Sequence, residues 1–529
     1  MQYCSALYLA VFLPITLLIY AVTSKKKRWL VLLIASYIFF LSLSGKLIVY
    51  LLFSTLSIHH FGLWIDRLNK KRDEEIEALN RDERKSVKEI YKKKINKVLF
   101  LTVIIHIGLL ITLKYTGFFG ENINDLLELL GFSFKLKIPK IVVPIGISFY
   151  TLQGLSYIID VYKGKIKADD NLGRLALFMA FFPSIMEGPI CRYNDTAEAL
   201  YEGSLITYKN ICFGSQRILW GLMKKMVIAD RLNPFIEYIF CNYNDLDGGI
   251  ILFGAIFYTI QLYMDFSGTI DVVIGSAEIF GIKLPENFKQ PFFSKNISDF
   301  WTRWHITLGT WFRDYIFYPV SLCKPMKKIT LVSRKALGNH YGPLLAGSIA
   351  LFLVWISNGL WHGAAWTYVF FGMYHFILIV LGNIFTPIIQ KICSKIQVNR
   401  LSKPYVFLQM IKTSILVVFG ELFFRANTLL SGFVMLRKIF TDFSLKSIST
   451  GTLFKMGCDR EDFLIILIIL VFIFIVSVLK EKGLNIREII ASKNIVFRWI
   501  IYYALILIIV IFGAYGFGYA PVDPIYANF

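Results

Sequence analysis

Apolar residues run along this chain in blocks of about 18–22, divided by short polar or basic breaks, instead of alternating or recurring on one helix face. Such a block, wound as a helix at about 1.5 Å per residue, crosses about 30 Å of hydrocarbon. The blocks cover Tyr3 to Val22, Trp29 to Leu43 and Leu47 to Ile65. They continue over approximately 98–117, 141–160, 172–190, 211–230, 249–277, 345–365, 366–386, 405–424, 462–479 and 497–517. The pattern predicts an all-α polytopic membrane protein of roughly 11–13 membrane helices.

Several blocks carry residues that a simple span avoids. Val143-Pro144-Ile145-Gly146, Phe182-Pro183 and Glu187-Gly188-Pro189 interrupt their runs with Pro, Gly or charge. Irregular backbone survives at membrane depth only inside protein or along a cavity, so these segments predict broken or re-entrant helices around a central cavity. Gln261 to Pro319 interleaves polar and apolar residues too finely for an isolated span and reads as short helices enclosed by protein. Asp265, inside an apolar run, is expected to be uncharged or paired, with Arg303 and Arg313 the nearest candidates.

Composition agrees, with 56% hydrophobic and 16% aromatic residues in 529. Soluble chains average about 45–50% apolar. The formal charge of +21 does not point to nucleic acid, because Lys and Arg cluster beside apolar spans, where the positive-inside rule and anionic lipid place them. The first block is followed, not preceded, by Lys25-Lys26-Lys27-Arg28, which predicts a retained span with its N-terminus outside. The next two blocks then return the chain to the cytoplasmic side. There residues 67–97, with twelve basic and seven acidic side chains, are expected as a solvated helical hairpin or interfacial helix. The whole chain, 1–529, is read as one membrane-embedded domain. Seven scattered cysteines without a CxxC pair or Cys/His spacing give neither a disulfide framework nor a metal site.

The candidate chemistry lies in two histidines within Trp-rich stretches. His305 stands in Asp299-Phe-Trp-Thr-Arg-Trp-His-Ile-Thr-Leu, and His362 in Asn358-Gly-Leu-Trp-His-Gly-Ala-Ala-Trp. On one continuous helix Asn358, His362 and Trp366 share a face at i, i+4 and i+8. Burial favours neutral imidazole, a general base near pH 7. Asn358 and Arg303 would orient the base or substrate, and Trp304 and Trp361 would wall the site. Asp265, Arg313 and His375 complete the candidate substrate-binding set.

These strings resemble the membrane-bound O-acyltransferase family, its bacterial alginate O-acetyltransferase branch in particular. The resemblance rests on Val143-Pro-Ile-Gly-Ile-Ser-Phe-Tyr-Thr-Leu-Gln153, Phe181-Phe-Pro, Gly188-Pro-Ile-Cys-Arg192, Asp265-Phe-Ser-Gly268 and Asn287-Phe. It continues through the His305 string, Trp311-Phe-Arg-Asp-Tyr315, Gly359-Leu-Trp-His-Gly-Ala364 and Phe424-Arg-Ala426, in order over residues 140–430. Thr269-Ile270, Ala365 and Glu187 depart from the family pattern. By position the resemblance makes His362 the principal catalytic residue and His305 the second histidine implicated in activity, with His375 near a third.

The resemblance implies an enzyme of the bacterial inner membrane. It would move acetyl from a cytoplasmic thioester, acetyl-CoA or similar, toward hydroxyls of an extracytoplasmic polysaccharide. No other cofactor or metal is implied. An esterase-like extracytoplasmic acetyltransferase partner is expected, since the stretch after Phe517 is too short to supply that domain. Transfer of D-alanine or another acyl group to teichoic acid or protein is the alternative within the family. A non-catalytic polymer conduit or transporter, lacking visible internal repeats, is the alternative outside it.

Overall fold

The computed structural model describes residues 1–77 and 79–515, so the expectation about the stretch after Phe517 lies outside the described residues. Among them the backbone is helical, and the single bridge is Phe288 to Trp304. Eight helical stretches are long and apolar enough to cross a membrane, and a shorter apolar helix, α1, covers Leu7–Val22. The chain is a multi-pass membrane protein. It divides into two compact units, residues 1–215 with 273–285, and residues 216–272 with 286–529.

In the first unit α2 (Arg28–Ser44) and α3 (Ile48–Glu77) turn about Gly45, whose φ is 51°. The helix α4 (Arg81–Leu129) returns antiparallel to α3. The charged segment forms the far ends of these two helices, as its i,i+4 pairs predict, and a capping box between Asn80 and Glu83 starts α4. The interrupted blocks fold as α5 (Ile147–Tyr162) and the nine-residue α6 (Leu172–Ala180), followed by buried turns.

Those turns keep their backbone satisfied by borrowing side chains. Tyr3 Oη donates to Phe182 O at 2.8 Å, Phe182 N donates to Ser36 Oγ at 3.0 Å, and Met186 N donates to Tyr3 Oη at 3.3 Å. The glycine before α5 is forced: Gly146 has φ 76°, and a Cβ there would stand 2.2 Å from Ile185 O. Irregular backbone is therefore held inside protein, as the Pro and Gly interruptions require.

The second unit begins with residues 216–222 of α7 (Tyr208–Leu222), continued by the π-helical turn Met223–Ala229 that prolongs it and by α8 (Asp230–Cys241). The long α9 (Gly248–Ile279) precedes two short helices, α10 (Ile297–Arg303) and α11 (Ile306–Phe312). Five long apolar helices follow: α12 (Lys324–His362), α13 (Trp366–Lys395), α14 (Lys403–Arg425), α15 (Arg460–Glu481) and α16 (Ile495–Phe512). Much of the Leu, Ile, Val and Phe surface of α15 and α16 is exposed, as lipid-facing helices require.

The α12–α13 hairpin packs through small residues. A Cβ on Gly359 would lie 2.6 Å from Tyr368 O, and one on Gly372 would lie 2.4 Å from Trp355 O. Backbones approach this closely only where side chains are missing. Overpacking costs about 1–3 kcal/mol. Gly372→Ala is accordingly expected to lower the melting temperature of the detergent-purified protein by a few degrees. Gly382→Ala on the same helix, where a Cβ meets nothing within 4 Å, should not lower it.

Candidate functional site

His305 is held by a clip of two antiparallel segments. Lys289 N donates to Arg303 O at 2.9 Å, and Ile306 N donates to Asn287 O at 3.0 Å. The histidine itself has φ 46°, a left-handed conformation uncommon outside glycine, and it starts α11. Strain of this kind persists only where surroundings over-determine it.

Asn287 defines the state of the ring. Its Oδ1 accepts from Thr307 N at 3.1 Å and from Thr307 Oγ1 at 2.9 Å, and it lies 3.2 Å from His305 Nδ1. A backbone N–H can only donate, so the facing atom of Asn287 is the oxygen, and His305 Nδ1 carries the proton. The lone pair is then on Nε2, the arrangement of an imidazole that accepts protons. Burial drives the His305 pKa down to about 3, so the ring is neutral at pH 7.

His362 is the last residue of α12, and Asn358 lies one turn before it, both buried. The backbone turns extended at Gly363, φ 177°, and Tyr368 covers that glycine, where a Cβ would stand 2.2 Å from the tyrosine ring. This corrects the single face predicted for Asn358, His362 and Trp366. The helix stops before Trp366, which begins α13 and is 55% exposed.

Aromatic rings join the three expected histidines into one cluster. His305 lies 4.9 Å from Phe266 and 5.4 Å from Trp361, whose ring lies 5.0 Å from His362. His362 meets Phe424 at 5.2 Å and Phe371 at 5.9 Å, and Phe371 lies 4.7 Å from His375. His375 packs edge-on to Trp301 at 4.9 Å and stacks on Trp355 at 5.5 Å. Neither of its ring nitrogens hydrogen-bonds to a described residue.

The remaining candidates lie elsewhere in this unit. Trp304 stacks on Phe300 at 5.4 Å and packs against Phe288 behind the clip. Asp265 is paired, but with Lys225 at 2.7 Å instead of Arg303 or Arg313. Neighbouring lysines in the π-helical turn reach different acids: Lys224 reaches Asp271 at 2.6 Å, while Lys225 reaches Asp265 and, at 2.6 Å, Asp230. Arg303 is held by Asp299 at 3.0 Å and Glu481 at 2.9 Å. Arg313 is exposed beside Asp314.

Two residues escaped the sequence reading as site members. Asn287 was visible in a polar run and in the Asn287-Phe string of the family resemblance but was given no role, since that role depends on the clip. Glu421, 1% exposed in the otherwise apolar stretch 415–424 of α14, follows Gly420, where a Cβ would stand 2.8 Å from His375 Nε2. A lone acid in an apolar run was a readable signal.

The residue pattern of the membrane-bound O-acyltransferase family matches residues 167–336, which include Asp265 and His305 and end before His362. A "Probable alginate O-acetylase" of Pseudomonas aeruginosa is 32% identical over 441 residues, 83% of this chain and 75% of its own length. The chain belongs to the membrane-bound O-acyltransferase family. It is an O-acyltransferase. Within the family it is also similar to a peptidoglycan O-acetyltransferase of Helicobacter pylori, 31% identical over 55% of this chain and 56% of that one. A teichoic acid D-alanyltransferase of Bacillus subtilis is 34% identical over 46% of this chain and 59% of its own.

Asn287→Asp tests the tautomer. A carboxylate beside Nδ1 stabilises imidazolium and raises the His305 pKa, so the variant should lose transfer as pH falls from 8 to 6. The wild-type ring, with its pKa near 3, contributes no such acid limb over that range. Rate against pH for both proteins in matched membranes checks this; identical profiles would sink the assignment.

Proposed function

We propose that this O-acyltransferase moves acetyl from a cytoplasmic thioester, acetyl-CoA or a similar donor, toward hydroxyls of an extracytoplasmic polysaccharide. The carrying observation is the single aromatic cluster that unites His305, His362 and His375 in a chain of this family. The alginate O-acetylase relatives, matched over most of this chain, support acetyl and a polysaccharide acceptor.

His362 takes the proton of the attacking hydroxyl as its oxygen adds to the thioester carbonyl. Collapse of the tetrahedral intermediate breaks the C–S bond, and the imidazolium returns the proton to the leaving thiolate, giving an ester and a thiol. Asn358, one turn from His362 and with its Oδ1 unpartnered among the described residues, positions the substrate by accepting from it through Oδ1 or steadies the oxyanion by donating from Nδ2. His305 presents its Nε2 lone pair across Trp361. Arg303, already held by Asp299 and Glu481, serves the clip that carries His305. No tightly held cofactor is needed beyond the consumed donor. The residues of 1–529 act as one membrane-embedded enzyme, with the family core at 140–430.

We place the enzyme in the bacterial inner membrane with its N-terminus outside. Lys25 to Arg28 and the α3–α4 tip then face the cytoplasm. Basic residues in the second unit alternate in the same sense. They gather at the start of α12, between α13 and α14 and between α15 and α16, while the Gly363–Ala365 turn has none. The longer 426–459 connection is more dilute in them. An esterase-like extracytoplasmic partner would complete delivery to the polymer.

Removing a general base costs about 10²–10⁴-fold in rate. Cells with His362→Ala at wild-type membrane levels should lose base-labile acetate from surface polysaccharide, and wild-type acetate in them would overturn the base assignment. The teichoic acid relatives give the second reading, D-alanyl transfer. Base-labile D-alanine in place of acetate would establish that reading instead.

A further inference from the structure

The second unit holds a polar cavity of about 60 Å³ between α7, α9 and the last two turns of α15. One water position occupies about 10–15 Å³ on this scale, so the space suits several waters or one phosphate group. Three cations line it, Arg217, Lys224 and Lys480, with two carboxylates, Asp271 and Glu286.

The two acids hold their partners differently. Asp271 bridges Arg217 Nε at 2.9 Å and Lys224 Nζ at 2.6 Å, and its side chain is 15% exposed. Glu286 fills the terminal nitrogens of Arg217 in a two-pronged contact, at 2.7 and 2.5 Å, yet its side chain is 59% exposed. An exposed carboxylate on a buried guanidinium is a replaceable ligand, because water can solvate it once it leaves. Lys480 makes no direct ion pair among the described residues, though it faces the same acids, Asp271 and Glu286, and its ammonium lies 5.8 Å over the Trp220 ring. With Glu286 turned outward, three cations face one carboxylate, an excess of two positive charges.

We propose that this cavity is a binding site for a phosphate monoester arriving from the cytoplasmic side, which takes the place of Glu286 on Arg217 and is closed over by Lys480. Two charges and a planar two-pronged donor match a dianionic phosphate better than a diester. The side follows from Lys480, at the basic end of α15, and rests on the topology proposed above. The phosphate belongs either to the thioester donor or to an anionic lipid headgroup. Glu286 and Phe288 line the cavity, and Asn287 between them holds His305, so a ligand here occupies one side of a segment whose other side fixes the histidine.

Binding measured without turnover separates this site from the transfer reaction. The full chain in maltoside detergent would be titrated with radiolabelled inorganic phosphate by equilibrium dialysis, as wild type, Lys480→Met and Glu286→Gln. Loss of one charge-assisted contact should weaken phosphate about tenfold in Lys480→Met, and loss of the competing carboxylate should tighten it about tenfold in Glu286→Gln. Loss of fold cannot produce opposite shifts. Equal affinities in all three proteins, or no saturable binding, would overturn the site. Coenzyme A and short-chain phosphatidic acid then serve as competitors. Displacement by coenzyme A supports both the site and the thioester donor. Displacement by phosphatidic acid alone supports the site with a lipid source and counts against that donor.

Discussion

Asn287 Oδ1 gathers the Nδ1–H of His305 with the backbone N–H and hydroxyl of Thr307, and the rest of the site depends on that convergence. It ties two chain segments into the clip, sets the left-handed turn at His305 and leaves the ring's lone pair on Nε2. In a buried setting an unmet donor costs about 1–3 kcal/mol, so three donors sharing one oxygen make this arrangement hard to replace. Trp304 and Phe288 pack behind it, and Arg303 anchors its outer end to Glu481 on α15. The imidazole is thus positioned by a rigid element, although it stands outside the long helices.

The spans were legible because lipid accepts only apolar side chains over a continuous helix, and α13 to α16 coincide with runs read from hydropathy. The blocks broken by Pro and Gly were legible as irregular for the same reason, and their backbone is met by Tyr3 and Ser36. His305, His362 and His375 stood out as ionisable groups in apolar, Trp-rich surroundings, and the fold joins them. Trp366 shows the limit of periodicity. The i+8 spacing assumes a helix that continues, but the chain turns extended at Gly363.

What stayed hidden depends on contacts between distant segments. Arg303 finds Glu481 across 178 residues, and no local pattern marks that pair. Asp265 finds Lys225 while the neighbouring Lys224 reaches Asp271, and no spacing along the chain marks either pair. The nearest arginines in the sequence were reasonable partners by distance along the chain and are engaged elsewhere in space.

Apart from Glu421, the buried acids named in this unit are paired with a cation, as desolvation demands, and the pairs differ in how tightly they are closed. Lys225 lies between two carboxylates with its side chain 2% exposed, so removing the lysine leaves two carboxylates facing each other in a low-dielectric interior. Such a pair holds α9 to the π-helical turn and has no room to exchange. Glu286 is different: it contacts a buried arginine while remaining mostly in solvent. Side chains alternate along an extended segment, so Glu286 and Phe288 face one way and Asn287 the other. The same three residues therefore meet the exchangeable ion pair on one side and the histidine's tautomer-setting hydrogen bond on the other. Any shift of this segment that accommodates a change at Arg217 must also move the oxygen on which His305 depends.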